Sequence, residues 1–401
     1  MLKPNPFIFN IKHVLFFLFG LSTFVYSQKQ ADSLKPKDLR EIYERSKFNK
    51  KKKFDADKDK KVLFSLLPAP IQEQSNFKLA ISFVTSFYLG DKKDTKLSEM
   101  SFAPTFSFSN QYIFPIRSYI YTEGNKFNFT GDYRYMIYPQ PTYGLGSNQL
   151  DDSQSTLDYQ QWRFYQFVST RISTNFYLGL GAQLDRYQNI SEVSNIEGPT
   201  DFYTYMEGDY SDETSNGVAF QALFDSRDNI LNAAKGLYIE TDFRVNSKSF
   251  GSEREWKSIY FDFRQYQSLS FNRRSIIASR VFYWATFDGK PNYLDLPSIG
   301  WDRYGKTGRG FTRNRFRSNA LLYFESEYRM SLTKNDLLGA VFFGNISSVS
   351  NLGTFSFQNW QPAIGTGLRL KWSKNNNNNL TADFGLSKND WSINFGIAEN
   401  F

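Results

Sequence analysis

From residue 62 onward, apolar and polar residues alternate along the chain with a period of two. The clearest segment, 237–245, sets Leu237, Ile239, Thr241, Phe243 and Val245 against Tyr238, Glu240, Asp242 and Arg244. Because successive side chains of a strand point to opposite faces, this pattern predicts strands with one apolar and one polar face. Charged residues are costly beside lipid hydrocarbon, so the polar face is expected to line a watered or ion-paired interior.

Sixteen segments of this kind are predicted. They are 62–70, 77–89, 100–109, 116–122, 126–137, 158–170, 174–188, 216–225, 236–246, 255–269, 274–287, 318–331, 336–349, 360–372, 379–387 and 390–401. No apolar run reaches the roughly 18 residues that a spanning helix needs, which excludes a helical membrane protein. The 41 Phe, 25 Tyr and 7 Trp are spread along the chain, as a lipid-facing surface requires. The predicted fold is an all-β, 16-stranded antiparallel transmembrane β-barrel over residues 62–401.

The connections between these strands alternate in length. Those at 172–173, 271–274 and 333–335 are tight, whereas those at 138–157, 189–215 and 288–317 are long. Short periplasmic turns and long external loops are typical of barrels in the outer membrane of Gram-negative bacteria. With sixteen strands, this alternation of short and long connections predicts that both termini lie in the periplasm.

The first 61 residues differ from the remainder. Residues 1–27 have lysines near the start, an apolar stretch at 14–21 and a small residue, Ser27, before Gln28, which predicts a cleaved signal peptide. A membrane anchor is the alternative, which the short apolar stretch disfavours. Residues 28–61 are predicted to form a basic periplasmic arm, since 29–61 hold 13 Lys and Arg against 7 Asp and Glu. The arm is either a solvated tether or a segment that binds anionic headgroups or an acidic partner.

The composition argues against an enzyme. The only His is His13, inside the predicted signal peptide, and the sequence has no Cys. The mature chain is therefore expected to lack groups for imidazole, thiol or zinc chemistry, and no cofactor or metal is predicted. Glu325 and Glu327 share a strand face, so carboxylate-pair hydrolysis is formally open. Two lumen acids balanced by neighbouring arginines are the simpler interpretation.

The long connection at 288–317 carries the most distinctive residues. It contains Gly308, Arg309, Gly310 and Phe311, followed by Arg313, Arg315 and Arg317. A large external loop of a wide barrel commonly folds into the lumen. An Arg between two glycines could reach lumen carboxylates, because the glycines remove side-chain bulk on each side. An ordinary basic surface loop is the alternative.

This loop also resembles a family signature. Gly308-Arg309-Gly310-Phe311 is similar to the inward-folded loop motif of the BamA/TamA superfamily, which contains outer-membrane insertases and two-partner secretion transporters. Further segments resemble superfamily motifs in the same order, namely 225–229 with 236–238, 325–329, 365–369 and 383–385. Phe395 and the closing Phe401 resemble the C-terminal aromatic signal that barrel-assembly machinery reads. The resemblance covers 216–401 well and 62–215 only by strand count.

The resemblance implies a lumen partner for Arg309. The family pattern has an Asp on the strand after the Glu-rich one, and the matching position here is Asn345. The contact would then involve a neutral amide, unless the carboxylates of Glu325, Glu327 or Asp383 replace it. Arg369 is a further candidate lumen residue. The predicted arm is too short for one of the periplasmic POTRA domains of family insertases, so the chain resembles the short, barrel-only members.

Three classes of function remain. In the first, implied by the resemblance, the seam between the first and last strands opens and assists protein insertion, translocation or outer-membrane assembly by pairing with a client strand. The second is a passive pore or structural barrel, and the third, a barrel hydrolase, is disfavoured by the missing His. Expected partners are outer-membrane lipid and lipopolysaccharide, barrel-assembly machinery during biogenesis and a client outer-membrane protein. A homodimer is left open, and no nucleic acid is expected.

Overall fold

The computed structural model describes residues 37–39, 62–73, 76–107, 110–149, 153–269, 275–374 and 377–401. Its main feature is one antiparallel sheet of eighteen strand segments. They are β1 (Val62–Glu73), β2 (Asn76–Phe87), β3 (Ser98–Phe102), β4 (Thr105–Ser107), β5 (Tyr112–Tyr121), β6 (Phe127–Ile137), β7 (Gln140–Thr142), β8 (Ser155–Ser173), β9 (Phe176–Ser194), β10 (Glu213–Asp225), β11 (Gly236–Asn246), β12 (Trp256–Ser268), β13 (Ser275–Phe287), β14 (Ala320–Ser331), β15 (Leu338–Val349), β16 (Gln361–Ser373), β17 (Asn378–Ser387) and β18 (Trp391–Ile397). The predicted signal peptide, and the predicted arm apart from 37–39, lie outside the described residues.

The order of the strands closes the sheet on itself. Strands pair with their neighbours in sequence, except that β3 and β4 both lie between β2 and β5, and β6 and β7 both pair with β8. Counting each of these two pairs as one interrupted strand gives sixteen positions around the described sheet. The ends of the sheet meet where β1 pairs with β18, at Gln72 with Ile393 and Glu73 with Ser392.

The predicted strands match the observed ones with shifted ends. Each of the sixteen predicted segments overlaps one position in the sheet. The largest extension is in β8 and β9, which have 19 residues each, so the predicted loop at 189–215 begins later. The last strand is shorter than predicted, because β18 ends at Ile397 rather than at Phe401.

The two faces of the sheet differ as the alternation predicts. In β11, Glu240 and Asp242 are buried on one face, while Phe243, next to Asp242, lies exposed on the other. In β16, Ile364 is 69% exposed and Arg369 only 4%. The closed sheet therefore has a polar, ion-paired lumen and an apolar outer surface, which suits a lipid environment.

The connections define two ends of the barrel. We call the end where β8 passes to β9, β12 to β13 and β14 to β15 the turn end, and the end where β7 passes to β8, β9 to β10 and β13 to β14 the loop end. A short α-helix, Asp201–Met206, lies at the loop end, and 3-10 helices span Glu123–Asn125, Lys248–Phe250 and Tyr293–Asp295. At the turn end, the backbone N–H of Lys37 donates to the carbonyl of Asn335 at 3.0 Å, and Asp38 accepts from the N–H of Lys374 at 2.8 Å.

No helix among the described residues is long and apolar enough to cross a membrane.

Candidate functional site: an ion-paired loop inside the barrel

The connection between β13 and β14 spans residues 288–319, and the part after the exposed residues 288–290 lies inside the lumen. Every residue from 291 to 303 is buried. Ile299, Phe311 and Phe316 pack in one cluster with the wall residues Phe282 and Leu321. The prediction of an inward-folded loop is therefore confirmed, and we call residues 299–314 the loop tip.

Two glycines let the loop tip lie directly against the wall. Gly310 has a φ of +96°, a conformation that strongly favours glycine. Its N–H donates to the hydroxyl of Ser392 on β18 at 2.8 Å. A Cβ placed on Gly385 of β17 would lie 2.6 Å from the nitrogen of Gly310 and 2.8 Å from its Cα. Backbone touches backbone here, so a side chain on Gly385 would displace the tip.

Arg309, in the loop tip, binds three lumen carboxylates. Its Nε donates to Glu325 at 2.6 Å, its Nη1 to Asp383 at 2.9 Å, and its Nη2 to Glu327. The ring of Phe343 lies 3.8 Å from the guanidinium carbon, within cation–π distance. Burial alone would lower the pKa of Arg309, but the three carboxylates raise it above its usual range. The guanidinium is therefore charged and fixed by four neighbours.

Asn345 makes a different contact from the one implied by the resemblance. Its amide group donates to the backbone carbonyl of Arg309 at 2.8 Å and does not bind the guanidinium. A guanidinium has only donors, and carboxylates are stronger acceptors than an amide oxygen. The three acids, Glu325, Glu327 and Asp383, therefore replace the Asp of the family pattern, which was the alternative left open by the sequence.

Two arginines of the wall extend this network. Arg369 binds Asp383 at 2.5 Å and Glu399 at 2.6 Å, while Arg329 binds Glu327 at 2.6 Å and lies 3.8 Å from Glu399. With the loop arginine, these pairs close a ring in which cations and carboxylates alternate. Arg369 therefore reaches the loop through a shared carboxylate, Asp383. The roles of Arg329 and Glu399 were not predicted from the sequence.

The two acids of β14 are both occupied by ion pairs. Glu325 and Glu327 each bind Arg309, and Glu325 also accepts from the hydroxyl of Tyr323 at 2.6 Å. Hydrolysis by a carboxylate pair needs one acid free to give a proton and the other free to act on the substrate or on water. The observed geometry favours anchoring of the loop instead.

The C-terminal tail, residues 398–401, turns into the lumen. Ala398 has a φ of +71°, and the N–H of Glu399 donates to the carbonyl of Leu231 at 3.0 Å. Phe401 is buried, and its carbonyl oxygen accepts from Arg329 at 2.8 Å. The tail therefore closes part of the turn end and supplies one carboxylate of the ring.

This turn has a physical reason that the sequence already contains. Had β18 continued, alternation would have placed Glu399 on the outer face with Phe395 and Ile397, where a carboxylate is costly. Leaving the sheet at Ala398 instead pairs Glu399 with arginines. The prediction that the strand runs to Phe401 is therefore wrong, although the role of Phe395 and Phe401 as an assembly signal stays a prediction.

A second arginine of the loop tip was also missed. Arg303 donates from Nη1 to Glu240 at 2.7 Å and from Nη2 to Asp242, both on β11. The neighbouring Asp302 lies 3.6 Å from Arg280 of β13. A usable signal was the pair of lumen acids on β11, because buried carboxylates require cationic partners. The loop is thus ion-paired to β11 and β13 as well as to β14 and β17.

The fold and the site together define a class of protein: a β-barrel of sixteen strand positions whose lumen holds an ion-paired loop. This fold is similar to BamA from Haemophilus ducreyi in a structure lacking POTRA domains 1–3, with a TM-score of 0.54 and 13% identity over 84% of this chain and 70% of that one. It is also similar to CdiB from Acinetobacter baumannii, with a TM-score of 0.52 and 13% identity over 84% of this chain and 60% of CdiB. CdiB from Escherichia coli has a TM-score of 0.52 and 11% identity over 85% of this chain and 63% of that CdiB. At these identities the likeness is one of fold.

The chain spans less than two thirds of the length of either CdiB protein. The sequence matches no protein-family model and no curated protein.

Proposed function

We propose that this protein is an outer-membrane β-barrel that assists the insertion or translocation of other proteins by opening the contact between β1 and β18. The proposal combines the fold shared with BamA and CdiB and the sequence motifs that resemble the BamA/TamA superfamily. In this proposal the loop end faces the outside and both termini lie in the periplasm. The partners are outer-membrane lipid and lipopolysaccharide, barrel-assembly machinery during biogenesis, and a client outer-membrane protein.

The observation that carries the proposal is the short pairing at the seam. In the described strands, β1 and β18 pair only at Gln72 with Ile393 and at Glu73 with Ser392. The neighbouring pair, β17 and β18, is in register from Leu380 to Leu386. Each broken ladder bond exposes backbone groups that need a partner, so the two-residue pairing of β1 with β18 is less costly to open than the pairing of β17 with β18. An opened edge can then pair with a client strand by β-augmentation.

The loop network supports the same proposal. Arg309 ties the loop to β14 and β17, and Gly310 is tied to Ser392 of β18. These contacts hold the last strands as one unit, so opening at the seam would separate β1 from that unit and leave the network intact.

The test is an insertion assay with a cross-link across the seam. Because the sequence has no Cys, the double variant Gln72→Cys with Ile393→Cys introduces a single pair at positions that face each other. The variant is purified oxidised and reduced, and the rate at which an unfolded barrel inserts into liposomes is measured for each. We expect oxidation to abolish the acceleration and reduction to restore it.

The matched control is Leu386→Cys with Trp391→Cys, a facing pair between β17 and β18, whose oxidation should leave the acceleration unchanged. Acceleration that persists when the seam is sealed would contradict the proposal.

A passive pore is the second candidate, favoured by a free chamber in the lumen between the loop tip and the wall of β2–β6. Ion conductance recorded on the same preparation separates the two. No accelerated insertion together with a steady large conductance would identify the pore.

A further inference from the structure

The loop tip leaves one side of the lumen free. A cavity of about 440 Å³ lies between the tip and the wall of β2–β6, and it extends towards the C-terminal tail. Its lining includes Ser101, Arg117, Tyr119, Trp301, Tyr304 and Lys306. Residues 113 to 119 of β5 border it, a rise of roughly 20 Å along the strand. The cavity therefore runs along much of the barrel wall on the side that the ion-paired network does not fill.

Two cationic side chains that line this cavity are incompletely paired. The ammonium group of Lys306 forms no hydrogen bond or ion pair with any residue that the structure describes. Arg117 donates from Nη2 to the carbonyl of Arg303 at 3.3 Å, whereas its buried Nε has no hydrogen-bond partner among the described residues. Its nearest carboxylate, Asp132, lies 3.7 Å away, and both Asp132 oxygens are bound by Arg134. Two arginines thus share one carboxylate, and Lys306 has none.

The surroundings of Lys306 are electrostatically unfavourable for a cation. Burial lowers its pKa to about 8, and the positive charges of Arg117, Arg264 and Arg309 act in the same direction. The carboxylate that opposes them most, Asp383, is already bound by two arginines. Burying a charge without a partner is unfavourable, so this part of the cavity is suited to an anion.

Three acids line the cavity, and none of them fills this need. Asp302 lies 3.6 Å from Arg280, and Glu399 is bound by Arg369 at 2.6 Å. The third acid is Glu99 of β3. The charged group that acts on Glu99 is Arg227, at the start of the turn-end connection after β10. The groups that act on Lys306 belong to other strands and to the loop tip itself. Glu99 and Lys306 therefore do not form an ion pair with each other.

We propose that this chamber binds an oxyanion of the phosphate class, held between the ammonium group of Lys306 and the guanidinium of Arg117. Lysine binds phosphate as a point charge, and arginine adds directed N–H donors. The cavity is larger than one phosphate ion, so a phosphate ester also fits. The same chemistry could come from a lipid headgroup or from a phosphorylated solute. The site does not depend on the proposed opening of the seam.

The experiment follows the phosphorus resonance of inorganic phosphate added to the full-length protein in a phosphate-free maltoside detergent, at constant ionic strength. We expect the phosphate line to broaden with the wild-type protein and to stay narrow with Lys306→Gln. The matched control is Lys290→Gln, the same substitution in the same connection, at an exposed lysine that pairs with Glu207. It should broaden the line as the wild type does.

Several readouts keep the result interpretable. Heat resistance of the barrel on gels checks that Lys306→Gln folds. Arg117→Gln is a second variant, with which the phosphate line should also stay narrower than with the wild type. If a short-chain phosphatidylglycerol displaces inorganic phosphate from the wild type, the headgroup is the supported source; a line unaffected by the lipid supports a free phosphate or solute. A narrow line with the wild type, or equal broadening with Lys306→Gln, would overturn the proposal.

Discussion

At the scale of single residues, Arg309 is the side chain on which the loop contacts converge. Replacing it with Ala leaves Glu325, Glu327 and Asp383 near one another with their shared cation removed. Breaking a buried ion pair in this way typically costs about 3–5 kcal/mol. We therefore expect Arg309→Ala to lower the temperature at which the barrel unfolds on gels and to make the loop sensitive to protease. Lys290→Ala, at an exposed pair, is the control, and an unchanged protease pattern in Arg309→Ala would discard the anchoring role.

Asp295, in the buried part of the loop, predicts a dependence on pH. Burial raises its pKa from 3.8 to about 6; Asp185 adds to the rise and Arg244 opposes it. The folded protein binds this proton more tightly than the unfolded chain, so the stabilisation is full below pH 4 and is lost as the pH rises through 6. We expect stability to fall by about 1 kcal/mol between pH 5 and pH 7.5 from this group.

The variant Asp295→Asn tests this expectation, because an amide keeps the size of the side chain and does not titrate. Tyr187 and Ser215 hydrogen-bond the carboxylate at 2.8 and 2.5 Å and can orient towards the amide oxygen. Melting temperatures at the two pH values should differ less in the variant than in the wild type. An identical difference in both proteins would show that other groups cause it.

At the scale of elements, the packing of the loop tip on β17 predicts a specific defect. A methyl group on Gly385 would lie 2.6 Å from a backbone atom of the tip. Gly385→Ala should therefore push the tip off the wall. We expect both protease cleavage of the loop and ion conductance through the barrel to increase. Gly344→Ala, on β15, is a matched control, because its added methyl group meets nothing closer than 3.9 Å. Equal behaviour of the two variants would mean that the close contact does not position the tip.

The elements also show where prediction from the sequence ends. Alternation located all sixteen strand positions because the period of two is a local property of each strand. It misplaced the ends of β9 and β18 because these depend on distant partners. β9 continues beside β8, where Ser155 pairs with Ser194, and β18 ends early because Glu399 is bound by two arginines from other strands.

At the scale of the whole molecule, the loop decides how much of the lumen is open. Replacing the loop tip, residues 299–314, with a short Gly-Ser linker removes Arg303, Arg309 and the apolar side chains of Ile299 and Phe311 while leaving every strand intact. We expect conductance in planar bilayers to rise several-fold, with an unchanged circular dichroism spectrum of the strands. A conductance equal to that of the wild type would show that the loop does not limit the passage.

The sequence by itself determined the strands, their two faces and the residues that could anchor the loop, because alternation and glycine-flanked arginines are visible in a single stretch of chain. Only the tertiary structure decided which charges meet. Glu327 and Asp383 lie on strands that are distant in sequence and come together around Arg309 through the curvature of the closed sheet. The same closure set the short seam of β1 with β18, turned the tail inward and left Lys306 facing a chamber, because each depends on distances across the lumen that no local pattern contains.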